Sequence, residues 1–177
     1  AISGNGSSWA QAFKTLDEAI FITHMCPFVK YICVAQGTYY PNAKPYNMQH
    51  YLQGIEVETI DPRDAAFHIR DGVILLGGYG TGGTERDLSA FNTILSGDIN
   101  QNGSNQSYHT VLMASSPFWF IGEDTTVVDG VIVKDANANN KPYELEVNNS
   151  LIQASYGGGL YMTNGFHAVK NSTIEQN

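Results

Sequence analysis

Positive charge is scarce in this chain. Lys and Arg number 9 among 177 residues, against 17 Asp and Glu, which leaves a formal net charge of −8. Nucleic acid is held by basic stripes that displace counterions from phosphates, and no such stripe exists here. The same shortage disfavours an anionic membrane surface. Long apolar runs are absent as well. Runs such as Ala19–Ile22 and Val73–Leu76 fall far short of the roughly 20 residues that cross a bilayer as a helix. Cysteine is limited to Cys26 and Cys33. They read as a small apolar filler and a strand residue, or as a disulfide closing a short loop around Pro27 in an oxidising compartment. No signal peptide is visible in the sequence, which opens Ala1-Ile2-Ser3-Gly4. That opening reads as the start of a mature or trimmed chain and does not argue for the cytosol.

Glycine, asparagine and tyrosine stand where charge is missing. The chain holds 18 Gly, 15 Asn and 10 Tyr, with 42% hydrophobic and only 15% charged residues. Such a composition favours turns and strands over helices, and it suffices for the core of one domain. A single helix is expected, and it comes first. Ser8-Trp9-Ala10-Gln11 fits a capping box, and Trp9, Phe13, Leu16 and Ile20 follow on one apolar stripe, which predicts a helix over residues 8–22. Tyr31–Ala35 reads as a strand. Residues 40–66, rich in Tyr and Pro, form a long inserted loop.

From Phe67 onward, short β words alternate with turn residues. Val73-Ile74-Leu75-Leu76-Gly77 matches Thr93-Ile94-Leu95-Ser96-Gly97 at an offset of 20, and Thr110-Val111-Leu112-Met113 follows 17 later. Asn149-Ser150-Leu151-Ile152-Gln153 recurs as Asn171-Ser172-Thr173-Ile174-Glu175 at an offset of 22. A one-strand unit repeating at that length is the pattern of a parallel β-helix, with successive words stacked directly on one another. An antiparallel sandwich would repeat its hairpin strands about every 8–12 residues, roughly half the spacing seen. The expected fold is therefore all-β: a solenoid over residues 1–177, with the helix of residues 8–22 covering its first coil.

Several stretches carry a family resemblance. Gly6-Ser7-Ser8-Trp9-Ala10-Gln11-Ala12-Phe13, Leu16-Asp17-Glu18-Ala19 and Ile32-Cys33-Val34-Ala35-Gln36-Gly37-Thr38-Tyr39 resemble the start of bacterial secreted β-helix proteins with the pectate-lyase-like fold. Phe67–Val73, Gly77-Gly78-Tyr79, Thr84–Asp87 and Ile94–Ile99 continue that pattern. Gly157-Gly158-Gly159-Leu160-Tyr161 with Asn171–Asn177 is similar to the repeat of polymorphic outer-membrane proteins, with Ile174 at the usual Phe position. The resemblance implies a right-handed, single-stranded parallel β-helix and a secreted or cell-surface (outer-membrane) setting. It does not fix an activity, since such proteins range from adhesins to polysaccharide-degrading enzymes. Because these families continue beyond such a coil, the chain reads as truncated at its C-terminal end. An uncovered last coil would then be a surface for self-association.

The motifs are weaker. Gly78-Tyr79-Gly80-Thr81-Gly82-Gly83 matches a dinucleotide fingerprint, but too few residues precede the next β word for a crossover helix, so it reads as a turn. Asp98, Asn100 and Asn102 with Gly103 match the first half of a calcium loop. They are candidate Ca2+ ligands, although His109 stands where a bidentate Glu is needed. The five histidines show no metal spacing. Asp61, Asp64, Asp71 and Asp87 lie around the long loop and the Gly-rich turn, and two facing carboxylates could hydrolyse a glycosidic bond. Nothing in the spacing pairs them, and no catalytic residue is assigned. In Ser116-Pro117-Phe118-Trp119-Phe120, alternation turns Trp119 away from the two Phe. Trp119, Tyr79 and Tyr108 are the candidate stacking platforms for sugar rings. The expected function is a non-enzymatic extracellular or cell-surface module, structural or adhesive, that meets an extracellular glycan or a host or surface protein. The alternative is a polysaccharide lyase or glycoside hydrolase, and the three Arg argue against a lyase for acidic sugars.

Overall fold

The computed structural model describes residues 4–47, 55–59, 61–83, 85–115, 124–139 and 144–177. Its one α-helix, α1, runs Leu16–Met25. Thr15 Oγ1 accepts from the Glu18 N–H at 3.3 Å, and a Glu18 carboxylate oxygen accepts from the Thr15 N–H at 3.2 Å. This reciprocal cap satisfies two donors that a helix start would otherwise leave bare. The helix expected over residues 8–22 is corrected in both start and end. Residues 9–11 make one 3-10 turn, and the Ser8 side chain caps nothing. The Gln11 carbonyl instead accepts from the Gly6 N–H at 2.8 Å, so the chain folds back there and begins its helix one segment later. Of the expected stripe, Leu16 and Ile20 are buried, whereas Trp9 and Phe13 are only half-buried.

Thirteen short strands follow among the described residues. One sheet is ordered β1 (Tyr31–Ala35), β4 (Ile74–Tyr79), β7 (Thr126–Asp129), β12 (His167–Lys170). A second holds β2 (Gly37–Tyr39), β5 (Thr93–Ser96), β8 (Ile132–Lys134) and β13 (Thr173–Ile174). The third holds β3 (Phe67–His68), β6 (Val111–Ala114) and β11 (Leu160–Thr163). All pairings within these three sheets are parallel. The chain visits first, second and third sheet in that order, repeatedly. A hairpin of β9 (Leu145–Val147) and β10 (Ser150–Ile152) is the one antiparallel ladder and departs from this cycle.

The stacking period differs from the expected 17 to 22 residues. Tyr31 lies beside Ile74, and Ile74 beside Val127, steps of 43 and 53 positions in the sequence. The words matched at the short offsets, in β4, β5 and β6, belong to three different sheets. They look alike because each strand buries one or both faces and ends at a sharp corner, whichever sheet it joins. Neighbours in space are a full three-strand cycle apart.

Those corners use the left-handed backbone region. Gly130 (φ 75°) and Asn171 (φ 48°) turn the chain from the first sheet to the second, and Asp135 (φ 60°) and Gln176 (φ 55°) follow the second. Asn and Gly enter that region at least cost. Inside, Ile32, Leu75 and Val128 align in one row, and Phe67 and Val111 in another, with Leu95 and Val133 facing them; all are buried with Leu16 and Ile20 of α1. A second cluster covers the other side of the third sheet, where Leu112 and Ala114 meet Val57, Leu145, Val147 and Ile152. Strand β6 is therefore buried on both faces, which explains its unbroken apolar run. Helix α1 packs on β1 and β3 at one end of the stack. At the other end, Met162, Phe166 and Ile174 are exposed. No described helix is long and apolar enough to cross a membrane, and Cys26 and Cys33 are free thiols.

Candidate functional site

Strand β1 is the first in its sheet and has a partner, β4, on one side only. Lys30 accepts from the Ile74 N–H at 2.8 Å, and Gln36 donates to the Tyr79 carbonyl at 2.7 Å. In a parallel ladder alternate residues bond to the same neighbour, so the even-numbered residues serve β4. The backbone groups of Tyr31 and Cys33 point to the open edge. Their side chains are exposed on the outer face, while Ile32 and Val34 are buried.

A groove of about 680 Å³ runs along that edge. All five residues of β1 line it, facing Trp9, Phe13 and the segment that precedes α1, with Leu16, Ala19 and Ile22 from the helix. Its described lining holds no Asp, Glu, Lys, Arg or His. The ring of Trp9 sits 5.3 Å from that of Tyr79. Burial and the neighbouring Cys33 thiol hold the Tyr79 hydroxyl above its usual pKa. Tyr79, expected as a sugar platform, is thus joined by Trp9, which the sequence assigned to a helix face. The missed signal was the break after Gln11, which frees Trp9 from any stripe.

The other expected platforms fare differently. Tyr108 is buried at 4% exposure. Its hydroxyl donates to Asp61 at 2.8 Å, and the Arg63 guanidinium lies 4.1 Å over its ring. Burial, with the Asp61 bond, pushes its pKa up to about 12. The expectation that Tyr108 offers a free ring face is corrected: Arg63 occupies it. Trp119 lies outside the described residues.

The calcium motif closes on itself. Asp98 Oδ2 accepts from the Gly103 N–H at 2.9 Å, and Asn102 Oδ1 from the Ser104 N–H at 3.0 Å. Asn100 Nδ2 donates to the Ser104 hydroxyl at 3.4 Å. Asp98 Oδ2 and Asn102 Oδ1 thus serve the turn's own backbone, while Asp98 Oδ1 is buried without a hydrogen-bond partner among the described residues. Among the described residues, no group of three or more His, Cys, Asp and Glu gathers where a metal could sit.

The carboxylates disperse too. Asp61 binds Tyr108, Asp64 accepts from Thr59, Asp71 accepts from Ser115, and Asp87 ties down Ser89. Exposed Asp87 is held below the usual carboxylate range by that hydroxyl and backbone bonding. Each has a turn or corner to hold, and none lines the groove. No protein-family model matches the chain, and neither the curated proteins nor the solved structures contain a significant match to it.

Proposed function

We propose that this chain is a right-handed parallel β-helix from a secreted or cell-surface protein, and that it works as a non-enzymatic structural and adhesive module. The cyclic order of three parallel sheets supports the solenoid, with β1–β2–β3, β4–β5–β6 and β7–β8–β11 as successive coils. The position of α1 over β1 and β3 supports its role as the cover of the first coil. The acidic, Asn- and Tyr-rich surface and the resemblance noted above support an extracellular setting.

One observation carries the non-enzymatic reading: the described lining of the groove beside Trp9 and Tyr79 holds no carboxylate, imidazole or cation. Glycoside hydrolysis needs two carboxyl groups across the bond, and lyases need a base and charge neutralisation. This groove supplies aromatic faces, hydroxyls and backbone, which are groups for binding a surface protein or glycan. The test is incubation with plant, algal and host polysaccharides, reading retention on each together with unsaturated or reducing ends. Retention without turnover, weakened by Trp9→Ala, is the expected outcome. Reproducible turnover abolished by a single Asp substitution would overturn the reading.

A further inference from the structure

The groove has a floor whose chemistry specifies more than aromatic stacking. Tyr31 and Cys33 each present a backbone N–H and C=O to it, and no described residue outside the sheet hydrogen-bonds to them. A bare strand edge along such a groove leaves strong donors and acceptors without a protein partner, which favours a ligand able to complete the ladder. The slot extends over the five residues of β1, about 17 Å of extended chain at ~3.3 Å per residue. On its far side stand α1 and the segment carrying Trp9 and Phe13. The slot is thus bounded by the β1 edge on one side and by these walls on the other.

We propose that the groove is a strand-addition site: an extended peptide of a partner protein lies along β1 and pairs with the backbone of Tyr31 and Cys33. The added strand continues the parallel or antiparallel ladder that begins at β1, as other peptide-recognition sheets do. Alternate side chains of the peptide face the apolar side chains of Phe13, Leu16 and Ile22, and the others stand outward beside Tyr31. Because the described lining carries no charged side chain, the inward positions select small aliphatic side chains and reject charged ones. This names the partner class for the adhesive groove and rests on that reading of it.

The probe is a pooled set of fluorescein-labelled hexapeptides alternating Val, Ile or Ala with Thr, Ser or Asn, titrated against the full chain. Binding is expected to slow hydrogen exchange at the Tyr31 and Cys33 amides. N-methylation of the peptide in one alternate phase should weaken binding by about tenfold or more, about 1.4 kcal/mol, while the other phase leaves it unchanged, since only one phase of a strand's N–H groups faces β1. Cys33→Pro removes an edge-facing N–H that β4 does not use, so it should abolish binding, whereas Cys33→Ser should retain it. Equal weakening by both methylated phases, protection confined to other amides, or no binding by any member of the pool overturns strand addition. Retention of a polysaccharide with no peptide binding sinks this inference alone, and polysaccharide turnover sinks the module reading alone. If Cys33→Pro does not fold, the methylated peptides decide the matter.

Discussion

The ring of His24 lies 5.0 Å from the ring of His68, and His24 Nε2 meets the His68 carbonyl at 3.0 Å. This pair joins α1 to β3 and seats the helix on the first cycle of strands. His68 Nδ1 accepts from the Tyr46 N–H at 2.9 Å, which assigns the ring proton to the other nitrogen and brings the insert after β2 into the same contact.

Acid should loosen this end of the molecule first. Burial lowers the His24 pKa to about 4, against the raising effect of the His68 carbonyl, and burial with His24 beside it holds His68 well below the usual value. Both rings are neutral when folded and take up protons when unfolded below about pH 6.5. The unfolded state then binds more protons, so stability falls as pH drops from about 6.5 toward 4. The His24 share is roughly 3 kcal/mol. Asp17, raised by burial, acts in the opposite sense at the acid end. Urea unfolding at pH 7.5, 6 and 5 should show the decline, and His24→Phe should flatten it. An unchanged midpoint across that range would contradict the account.

Capping should separate two threonine- and serine-led segments. Thr15→Ala removes the acceptor for the Glu18 N–H and should cost about 1 kcal/mol. Ser8→Ala touches no cap and should stay within about 0.5 kcal/mol. Thermal melts of the two variants provide the comparison, and equal losses would mean that the helix starts elsewhere.

Arg63 ties the insert to later cycles of the chain. Its Nε donates to the Gln106 carbonyl at 2.7 Å, and its Nη2 donates to the Asn137 carbonyl at 2.6 Å and to Asn139 Oδ1 at 2.9 Å. Lysine cannot reproduce that planar fork. Arg63→Lys should therefore cost about 2 kcal/mol, more than the ~1 kcal/mol expected for Tyr108→Phe, which loses the hydroxyl bond to Asp61. A double-mutant cycle should give a favourable coupling between Arg63 and Tyr108, since the guanidinium covers the ring. Strict additivity would deny it.

Glycine positions should divide by contact. A Cβ on Gly77 would come 2.4 Å from the Gly130 carbonyl oxygen, a backbone atom of the adjacent strand corner. Gly77→Ala should destabilise by about 1–3 kcal/mol through forced separation of the two cycles. Gly82 has a φ of 81° with open space around it, so Gly82→Ala should cost only about 1 kcal/mol of backbone strain. Denaturant midpoints should rank the two in that order.

The site was legible only in part. Tyr79 stands in the sequence as one of several amphipathic tyrosines, and only the fold sets Trp9 beside its ring. Tyr108 was misjudged because its partner Arg63 lies 45 positions away, beyond any local pattern. Trp9 was assigned to a helix stripe by a spacing that three residues of Gly- and Ser-led turn happened to share. The true helix start, Thr15 with Glu18, was present in the sequence as a second capping box, overlooked beside the first.

Scarce charge, plentiful Asn and Gly, and short aliphatic words are enough to dictate a chain of brief strands with tight corners, because only such strands bury those words and only such corners suit those residues. Which word lies against which was decided by folding alone. Every strand has the same one-sided or two-sided apolar need, so the words are nearly interchangeable in sequence, and only closure of a full three-sheet cycle distinguishes the neighbour above from the neighbour beside. The groove follows from that same closure: β1 lies at the end of its sheet, and α1 with the segment before it walls the open edge, a relation between distant segments that no local pattern encodes.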